Sequence, residues 1–382
     1  MKFKTLLIAG AVALLGSATG FTADVEINFT GSTAFRSAAH ATILDVLGGQ
    51  GVATYAFDGS TLGGAGKALF EGTFNGKTYL IRTSWSGSTA GIASVADQTD
   101  INVIDEGTVT LTTAGTQLSG AATKAVKAQF SFSDVGVALS SNPTANLGGG
   151  PVGVVPFAFF ASATAPAEVD NMTDQIFAAL YSGGQMPLST WTNNPADDPV
   201  ANPGTGRYVL PFGRDAGSGT RATTLAETQY GAFTQVLQYG EDTAFGGAGQ
   251  PVTNLGTIGN GGQSSGGTLR NIISADFSNV GGFNFVAIGY LGAADGATVI
   301  QNGGKMLKYN GVDFSIDNII NGSYTFWGYQ QLLTIPVLDA DQQAFDTALR
   351  AAIPNNLGSN FVAISAMKVT RNGGDGGPVS PN

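Results

Sequence analysis

Residues 214–220 read Arg-Asp-Ala-Gly-Ser-Gly-Thr and lie between an apolar run and a segment with helical periodicity. The run before them, Tyr208–Phe212, is typical of a buried strand. The first N–H groups of the helix after them have no intrahelical partner, and the helix end carries a partial positive charge. Small residues in the turn allow an anion to approach these groups closely. The stretch therefore predicts a strand, a turn and a helix that together offer an oxyanion site.

The same strand–turn–helix pattern occurs twice more. Gly31-Ser32-Thr33 follows an alternating strand at residues 25–29, and Gly87-Ser88-Thr89 precedes a short helix. The ordinary alternative is that Ser and Thr only cap these helices. We favour anion binding because three such turns occur in one chain, and because Arg214 adds a guanidinium suited to bidentate hydrogen bonds. The alternative for Arg214 is a structural or surface ion pair, for instance with Asp215.

Strands alternating with short helices along the chain indicate an α/β fold. Asn75-Gly76 between two β-rich runs predicts a hairpin. Residues 152–161 are almost all apolar, as in a strand buried on both faces. A helix after residue 33 is predicted to bury one face, formed by residues at four-residue steps: Phe35, Ala39, Ile43 and Leu47.

The C-terminal half gives three further expectations. Asp339 and Gln342 fit the capping box of a late helix. Residues 245–267 are rich in glycine and are expected to form a loop. The tail after Arg371 is rich in Gly, Pro and Asp, and we expect it to fray.

Composition limits the classes of function. The chain has 382 residues, of which 43% are hydrophobic, which is enough for a large core and suggests two lobes. Its net charge of −10 disfavours binding to nucleic acid and to anionic membranes. The sequence has no cysteine and one histidine, His40, so we expect no metal centre, no cofactor and no Ser-His-Asp catalysis. For His40 a packing or surface role is expected.

Residues 1–20 have the pattern of a secretory signal peptide. Lys2 and Lys4 precede a short apolar core, and Ala18 and Gly20 suit the small-residue cleavage positions. No cysteine follows for a lipid anchor. We expect a soluble exported protein, located in the periplasm, without membrane insertion.

Residues 214–220 resemble the Arg-x-x-Gly-Ser-Gly-Thr signature of periplasmic phosphate-binding proteins that serve ABC transporters. Other segments resemble that family in the same order: 30–35 (TGSTAF), 85–92 (WSGSTAGI), 132–134 (FSD), 152–159, 176–181 with Trp191, 287–290, 321–324 and 369–371. The resemblance covers most of residues 25–372. Each motif alone is loose, but the ordered set is hard to obtain by chance.

The resemblance implies a two-lobed fold of the type II periplasmic-binding-protein kind. The first lobe would hold residues 21–155 and 290–382, and the second lobe residues 156–289. Strands near 152–161 and 284–291 would form the hinge. The implied function is capture of inorganic phosphate between the lobes and delivery to the permease of an ABC importer, by a monomer that is not an enzyme.

The resemblance also implies the phosphate ligands: Thr33, the N–H of Ala34, Ser88, Asp134, Arg214, Ser218, the N–H of Gly219 and Thr220. A shift of the first pair by one residue towards Phe35 is left open. Asp134 would accept the proton that phosphate carries and sulfate lacks, so it would discriminate against sulfate. The alternative for Asp134 is a role in a turn or a helix cap.

The chain departs from the family in two ways. The stretches from Thr33 to Ser88 and from Ser88 to Asp134 are longer than in familiar transport receptors. The family often has Asp directly before Gly-Ser-Gly-Thr, but here Ala216 takes that place and Asp215 comes one residue earlier. We therefore expect Arg214 to be held differently.

Three alternative functions remain open. The first is a surface protein for adhesion or assembly that keeps the fold and uses its inserted hairpin. The second is a receptor for a different oxyanion. The third is an exported hydrolase of phosphate esters, which the scarcity of His and Cys disfavours.

Overall fold

The computed structural model describes residues 23–382. The predicted signal peptide, residues 1–20, lies outside the described residues. The strands are β1 (Val25–Gly31), β2 (Thr54–Asp58), β3 (Lys67–Phe74), β4 (Lys77–Ser84), β5 (Asp100–Ile104), β6 (Thr116–Leu118), β7 (Thr123–Lys127), β8 (Phe130–Ser133), β9 (Gly148–Ala161), β10 (Asn171–Met172), β11 (Met186–Pro187), β12 (Tyr208–Pro211), β13 (Gln238–Tyr239), β14 (Ala244–Phe245), β15 (Val252–Asn254), β16 (Ile258–Gly259), β17 (Phe285–Gly292), β18 (Lys305–Met306), β19 (Lys308–Tyr309), β20 (Trp327–Thr334), β21 (Val369–Arg371) and β22 (Val379–Pro381). The helices are α1 (Arg36–Val46), α2 (Ser88–Ala96), α3 (Asp174–Gly183), α4 (Ser189–Thr192), α5 (Gly219–Glu227), α6 (Gly266–Ile273), α7 (Ala293–Gln301), α8 (Ile316–Ile320) and α9 (Ala340–Asn356).

One 12-stranded sheet runs through the molecule in the order β11-β12-β17-β9-β20-β8-β1-β4-β3-β2-β6, with β18 also paired to β9. Strand β9 belongs to both parts of this sheet. Its residues 148–156 pair antiparallel with β20, and its residues 157–161 pair antiparallel with β17. We call the strands from β20 to β6 the first half-sheet, and β11, β12, β17 and β18 the second half-sheet. The lobe boundaries expected from the sequence stay a prediction.

Parallel strands occur in both half-sheets. In the first, β1 lies between β4 and β8 and is parallel to each. In the second, β12 is parallel to β17. The carboxyl ends of parallel neighbours meet at one edge, where α/β sheets bind their ligands.

Local sequence signals explain several elements. Asn75 and Gly76 connect β3 and β4 with φ angles of 49° and 75°, as a tight hairpin turn of the primed type requires. The N–H of Gln342 donates to Oδ1 of Asp339 over 2.8 Å, which completes the capping box of α9. Residues 152–161 of β9 are buried throughout, as their composition predicts. The four-residue steps on α1 are confirmed as well, because all four side chains are fully buried: Phe35, Ala39, Ile43 and Leu47.

Two expectations are wrong. Residues 245–267 are not a plain loop, because β15 pairs with β14 and β16 pairs with β13. The tail does not fray, because β22 pairs with β21. Oδ2 of Asp375 also accepts the N–H of Gly136 over 2.7 Å. The tail is held by these long-range contacts, to which its Gly- and Pro-rich composition gives no clue. Within residues 23–382, no helix has the length and apolar character needed to cross a bilayer.

Candidate functional site

The first half-sheet brings three predicted ligand segments together. Thr33 follows β1, Ser88 follows β4 and Asp134 follows β8. Because these three strands are parallel neighbours, their short connections emerge at the same edge of the sheet. Arg214 follows β12 in the second half-sheet, in the turn that leads to α5. The strand order therefore explains why residues far apart in the sequence lie in one place.

Asp134 receives hydrogen bonds from both half-sheets. The Ser88 hydroxyl at the start of α2 donates to Oδ1 of Asp134. The hydroxyl of Thr220, on α5, donates to Oδ2 over 3.1 Å. A second contact from α5 comes from Thr223, whose hydroxyl donates to the Asp134 carbonyl over 3.2 Å. Asp134 thus links the end of β8 to the helix that the Gly-Ser-Gly-Thr sequence begins.

Burial makes Asp134 an unusually strong proton acceptor for a carboxylate. Removal from water raises the pKa of Asp134 to about 6. A backbone N–H, the charge of Arg214 and the hydroxyl of Thr220 oppose this rise without cancelling it. Near neutral pH the carboxylate is ionised, yet it is much more basic than an exposed aspartate. Such a group suits a hydrogen bond from a ligand that carries its own proton.

Gly219 allows α5 to approach this carboxylate. A Cβ at Gly219 would stand 2.5 Å from Oγ of Ser88, well inside normal van der Waals contact, and it would also overlap Oδ1 of Asp134. Only glycine fits between the two side chains without displacing one of them. The glycine between Ser218 and Thr220 is therefore explained by close approach.

Arg214 is buried and is held by backbone carbonyls. Its Nε donates to the carbonyl of Gln263 over 2.9 Å, and Nη2 donates to that of Ser264 over 3.0 Å. Nη1 lies 3.4 Å from the hydroxyl of Thr33 in the first half-sheet. Burial lowers the pKa of Arg214, and the carboxylates of nearby aspartates counteract it.

The proposed ion pair between Arg214 and Asp215 is not found within residues 23–382. Oδ1 of Asp215 instead accepts the N–H of Gly217 over 3.0 Å and shapes the turn. Asp215 stands one residue earlier than the aspartate of the family signature, and from that position its carboxylate bonds within the turn. Nη1 of Arg214 instead lies near the hydroxyl of Thr33, between the two half-sheets.

The remaining predicted ligands are Ser218, Ala34 and Gly219, and they differ in their hydrogen bonds. The hydroxyl of Ser218 accepts the N–H of Arg221 over 3.2 Å, so Ser218 caps α5, as the ordinary alternative states. Ala34 is partly buried between β1 and α1. Within the described chain, the N–H groups of Ala34 and Gly219 have no hydrogen-bond partner. These two groups are free to serve as donors to an anion.

Besides the bond from Ser88 to Asp134, helix α2 also contacts the turn before α5. The N–H groups of Thr89 and Ala90 donate to the carbonyl of Gly217 over 3.2 and 3.3 Å. The hydroxyl of Thr89 donates to the carbonyl of Ala216 over 3.1 Å. Two N–H groups at the start of α2 are therefore used between the half-sheets, which the sequence pattern alone did not predict.

His40 is far from an enzymatic arrangement. It is fully buried, with Nδ1 2.8 Å from the carbonyl of Leu62 and Nε2 3.0 Å from the hydroxyl of Thr83. The indole N–H of Trp85 donates to Nε2 over 2.9 Å. Burial lowers the pKa of His40 to about 4, so the ring is neutral. The packing role expected for His40 is confirmed.

Sequence reasoning missed the residues that hold Arg214. The carbonyls of Gln263 and Ser264 come from the stretch expected to be a plain loop. The side chain of Gln238 donates to the carbonyl of Arg214 over 2.9 Å, and the hydroxyl of Tyr290 accepts its N–H over 3.2 Å. Backbone carbonyls carry no sequence signal. Only the side chains of Gln238 and Tyr290 could therefore have been identified from the sequence.

Comparison with solved structures identifies the fold. A candidate phosphate ABC transporter substrate-binding protein with bound phosphate, from Clostridium perfringens, matches over 89% of this chain and 99% of its own, with 13% identity and a TM-score of 0.52. An ABC-type phosphate transport receptor from Vibrio cholerae matches over 88% of this chain and 99% of its own, with 13% identity and a TM-score of 0.47. The fold assignment rests on the first of these.

No protein-family model matches the sequence, and a search of curated proteins found no match. At 13% identity the likeness to the Clostridium perfringens protein concerns the fold alone. The large mixed sheet and this likeness confirm the fold expected from the sequence motifs. The chain has the two-lobed α/β fold of periplasmic binding proteins.

Proposed function

We propose that the protein is an exported solute-binding protein that captures inorganic phosphate between its two half-sheets and delivers it to an ABC importer. The observation that carries this proposal is the buried carboxylate of Asp134, which accepts hydroxyl hydrogen bonds from Ser88 and from Thr220. Arg214 lies at the same junction and contacts Thr33. A basic carboxylate beside a buried guanidinium suits an anion that both accepts and donates hydrogen bonds.

Asp134 supports phosphate over sulfate. Near neutral pH phosphate retains at least one proton, whereas sulfate retains none. A phosphate hydroxyl can donate to the ionised carboxylate, but a sulfate oxygen beside it is repelled. The elevated pKa of Asp134, about 6, strengthens its acceptance of such a hydrogen bond.

Donors are available for the other oxygens of the ligand. The N–H groups of Ala34 and Gly219 have no partner within residues 23–382. Ala34 follows β1 of the first half-sheet and Gly219 begins α5 beside the second, and the buried Arg214 adds a cation. Binding would use these local donors against a net charge of −10. Deep burial lowers the local dielectric constant and strengthens each of these charge-assisted bonds.

The contacts between the half-sheets support a clamp that closes on its ligand. The Thr220–Asp134 bond and the bond from Thr89 to the carbonyl of Ala216 both form only when α5 lies against the first half-sheet. A ligand that bonds to both sides adds to the same contacts and shifts the population towards closure. Such closure would give the importer a signal that the carrier is loaded.

Titration calorimetry of two variants tests this assignment. Ser88→Ala and Asp134→Asn should each weaken phosphate binding by roughly ten- to a hundredfold, as expected for loss of a hydrogen bond to a charged group. Ser94→Ala is the matched control for Ser88, because Ser94 lies later on α2 and its hydroxyl bonds only to the carbonyl of Ala90. Wild-type affinity in both test variants would remove the site assignment.

A further inference from the structure

The tail after Arg371 lies against the loop that carries Asp134. Oδ2 of Asp375 accepts the N–H of Gly136, two residues after Asp134, over 2.7 Å. Asp375 is partly buried, and burial raises the pKa of its carboxyl, although the N–H of Gly136 and the charge of Arg371 act against this rise. The tail therefore holds the backbone immediately beyond the carboxylate on which the proposed function depends.

The same tail contacts the far end of helix α5. Nη1 of Arg371 lies 2.8 Å from Oε2 of Glu227, the last residue of α5, and both side chains are almost fully buried. Oε2 makes no hydrogen bond within the described chain, so this contact is an ion pair without a well-aligned hydrogen bond. A Cβ at Gly376 would stand 2.6 Å from the carbonyl carbon of Ala226, so only glycine allows the tail to lie this close to the helix. The tail thus packs on the last turn of the helix whose first turn bonds to Asp134.

Arg371 itself is anchored on the first half-sheet. Its Nη2 donates to the carbonyls of Thr325 and of Trp327, the latter over 2.9 Å. Its guanidinium carbon lies 4.5 Å from the centroid of the Trp327 ring, a cation–π contact. Trp327 begins β20, which pairs with β8. One guanidinium therefore connects the first half-sheet to α5, and its loss would leave the buried carboxylate of Glu227 without this counter-charge.

Helix α5 is consequently held at both ends. At its start the hydroxyl of Thr220 donates to Asp134, and at its end Glu227 pairs with Arg371. Thr220 and Glu227 are about two helical turns apart, so a shift of one end of this short helix moves the other. Asp375 fixes the loop after β8 on the opposite side of the junction. The tail therefore contacts both of the segments that the Thr220–Asp134 bond joins.

The charge of Asp375 also acts on Asp134. Burial raises the pKa of Asp134 to about 6, and a backbone N–H, the charge of Arg214 and the hydroxyl of Thr220 oppose this rise. The carboxylate of Asp375 raises the pKa further, as a like charge does. Loss of the charge of Asp375 should therefore make Asp134 a weaker proton acceptor.

Few other ionisable groups lie on the elements around Asp134. Helix α2 and strand β8 contain none. The ionisable residues of α5 and β20 have partners of their own: Arg221 with Asn260, Glu227 with Arg371, and Tyr329 with Thr370. Arg214 and Asp375 are the charged residues with the largest effect on the pKa of Asp134.

We propose that Asp375 and Arg371 are positioning residues of the phosphate site, and that they act through the loop of Asp134 and through helix α5. The tail sets how closely α5 approaches Asp134, and Asp375 adjusts how strongly this carboxylate accepts a proton. The inference rests on the proposed function, because the affinity that the tail alters is the affinity for phosphate. The effect of Asp375 on Asp134 is independent of the identity of the ligand.

Calorimetric titration with phosphate at neutral pH tests the positioning role. Asp375→Ala and the double variant Glu227→Gln/Arg371→Gln should each bind phosphate about three- to tenfold more weakly than wild type, because a binding site must be held in its productive geometry by the residues around it. The double variant removes both charges of the ion pair, so no unpaired charge is left buried and the protein can still fold.

Ser380→Ala is the matched control within the tail. The Ser380 hydroxyl accepts a hydrogen bond from the side chain of Asn372, a contact that stays inside the tail, so the variant should bind phosphate as wild type does. Thermal unfolding without anion separates positioning from folding. Well below the melting temperature nearly all molecules are folded, so lost stability alone leaves the measured affinity unchanged. Lower melting temperatures with wild-type phosphate affinity in both test variants would show that the tail only stabilises the fold, and would overturn the proposal.

The pH titration of Asp134 is a readout that a purely structural role of Asp375 would not change. In anion-free protein with isotope-labelled aspartate, the carboxyl carbon resonance of Asp134 is assigned by its loss in Asp134→Asn. Its titration midpoint should be lower in Asp375→Asn than in wild type, because this variant removes the charge and keeps an oxygen that accepts the N–H of Gly136. Asp313→Asn, at an exposed position, should leave the midpoint unchanged.

The outcomes distinguish this inference from the proposed function. Wild-type phosphate binding that is equal in all variants overturns the positioning role and leaves the phosphate receptor standing. Absence of phosphate binding by the wild type contradicts the proposed function. In that case a lower Asp134 midpoint in Asp375→Asn still supports the action of the tail on Asp134, and an unchanged midpoint overturns it.

Discussion

The hydroxyl of Thr220 lies 3.1 Å from Oδ2 of Asp134 and donates a hydrogen bond to it. Thr220 is the second residue of α5, which packs on the second half-sheet, and Asp134 directly follows β8 of the first. A carboxylate that the fold removes from water is thereby shared between the two halves. The hydrogen bond from Thr220 requires α5 to lie against the end of β8.

Gly219→Ala should disrupt the junction between α5 and Asp134. The added methyl group would stand 2.5 Å from Oγ of Ser88, so α5 must shift or the side chains must move apart. We expect phosphate affinity to fall by at least about tenfold and the free energy of unfolding to fall by about 1–3 kcal/mol. Calorimetry and thermal unfolding measure the two effects.

The control for that variant is Gly183→Ala at the end of α3. A Cβ there meets nothing within 4 Å, so both measured quantities should stay near wild type. Unchanged phosphate affinity in Gly219→Ala would show that α5 does not approach Asp134 in the bound protein.

Asp134 should make the anion-free protein less stable as the pH rises from about 4 to about 6. Burial raises its pKa from 3.8 to about 6, so in this range the folded state holds a proton that the unfolded state has lost. The free energy of unfolding should fall by up to about 3 kcal/mol across this window. Denaturant titration at several pH values checks this.

Asp134→Asn should flatten that dependence, because an amide does not titrate. Asp313→Asn, at an exposed position, should follow the wild-type curve. Wild type and Asp134→Asn with parallel pH curves would contradict the assignment of this pKa to Asp134.

Thr89→Val should weaken closure without touching the proposed ligand. The change removes the hydroxyl that donates to the carbonyl of Ala216 and keeps the shape of the side chain. Loss of about 1 kcal/mol from the closed state should lower phosphate affinity by roughly three- to tenfold. Calorimetry measures this, with Thr347→Val on α9 as the control hydroxyl. Equal affinities in the two variants would show that this contact does not contribute to closure.

Asp375→Ala should destabilise the protein through the tail. Its Oδ2 accepts the N–H of Gly136 over 2.7 Å, and loss of this partner should cost about 1–3 kcal/mol. Thermal unfolding measures the change, with Asp313→Ala as the control. An unchanged melting temperature would indicate that the tail is not held in solution as it is in the structure.

Periodicity and turn chemistry predict the elements of this fold that depend on interactions between residues close in the sequence. The Asn75-Gly76 turn and the cap at Asp339 depend on residues within four positions, and both are found. The ordered motifs predict the two-lobed fold. They also identify the ligand segments that the neighbouring parallel strands β1, β4 and β8 bring together.

Long-range contacts account for what the sequence does not predict. Arg214 is held by the carbonyls of Gln263 and Ser264, and a carbonyl is present at every residue, so it leaves no pattern. Asp375 is fixed by an N–H more than two hundred positions away in the chain.

The most direct test is titration calorimetry of the wild-type protein, freed of bound anion, with phosphate and with sulfate at neutral pH. We expect tight phosphate binding and no heat from sulfate, because only phosphate can donate a hydrogen bond to the Asp134 carboxylate. Equal binding of both anions would contradict the role of Asp134 while leaving an anion receptor. Absence of heat from phosphate would contradict the proposed function itself.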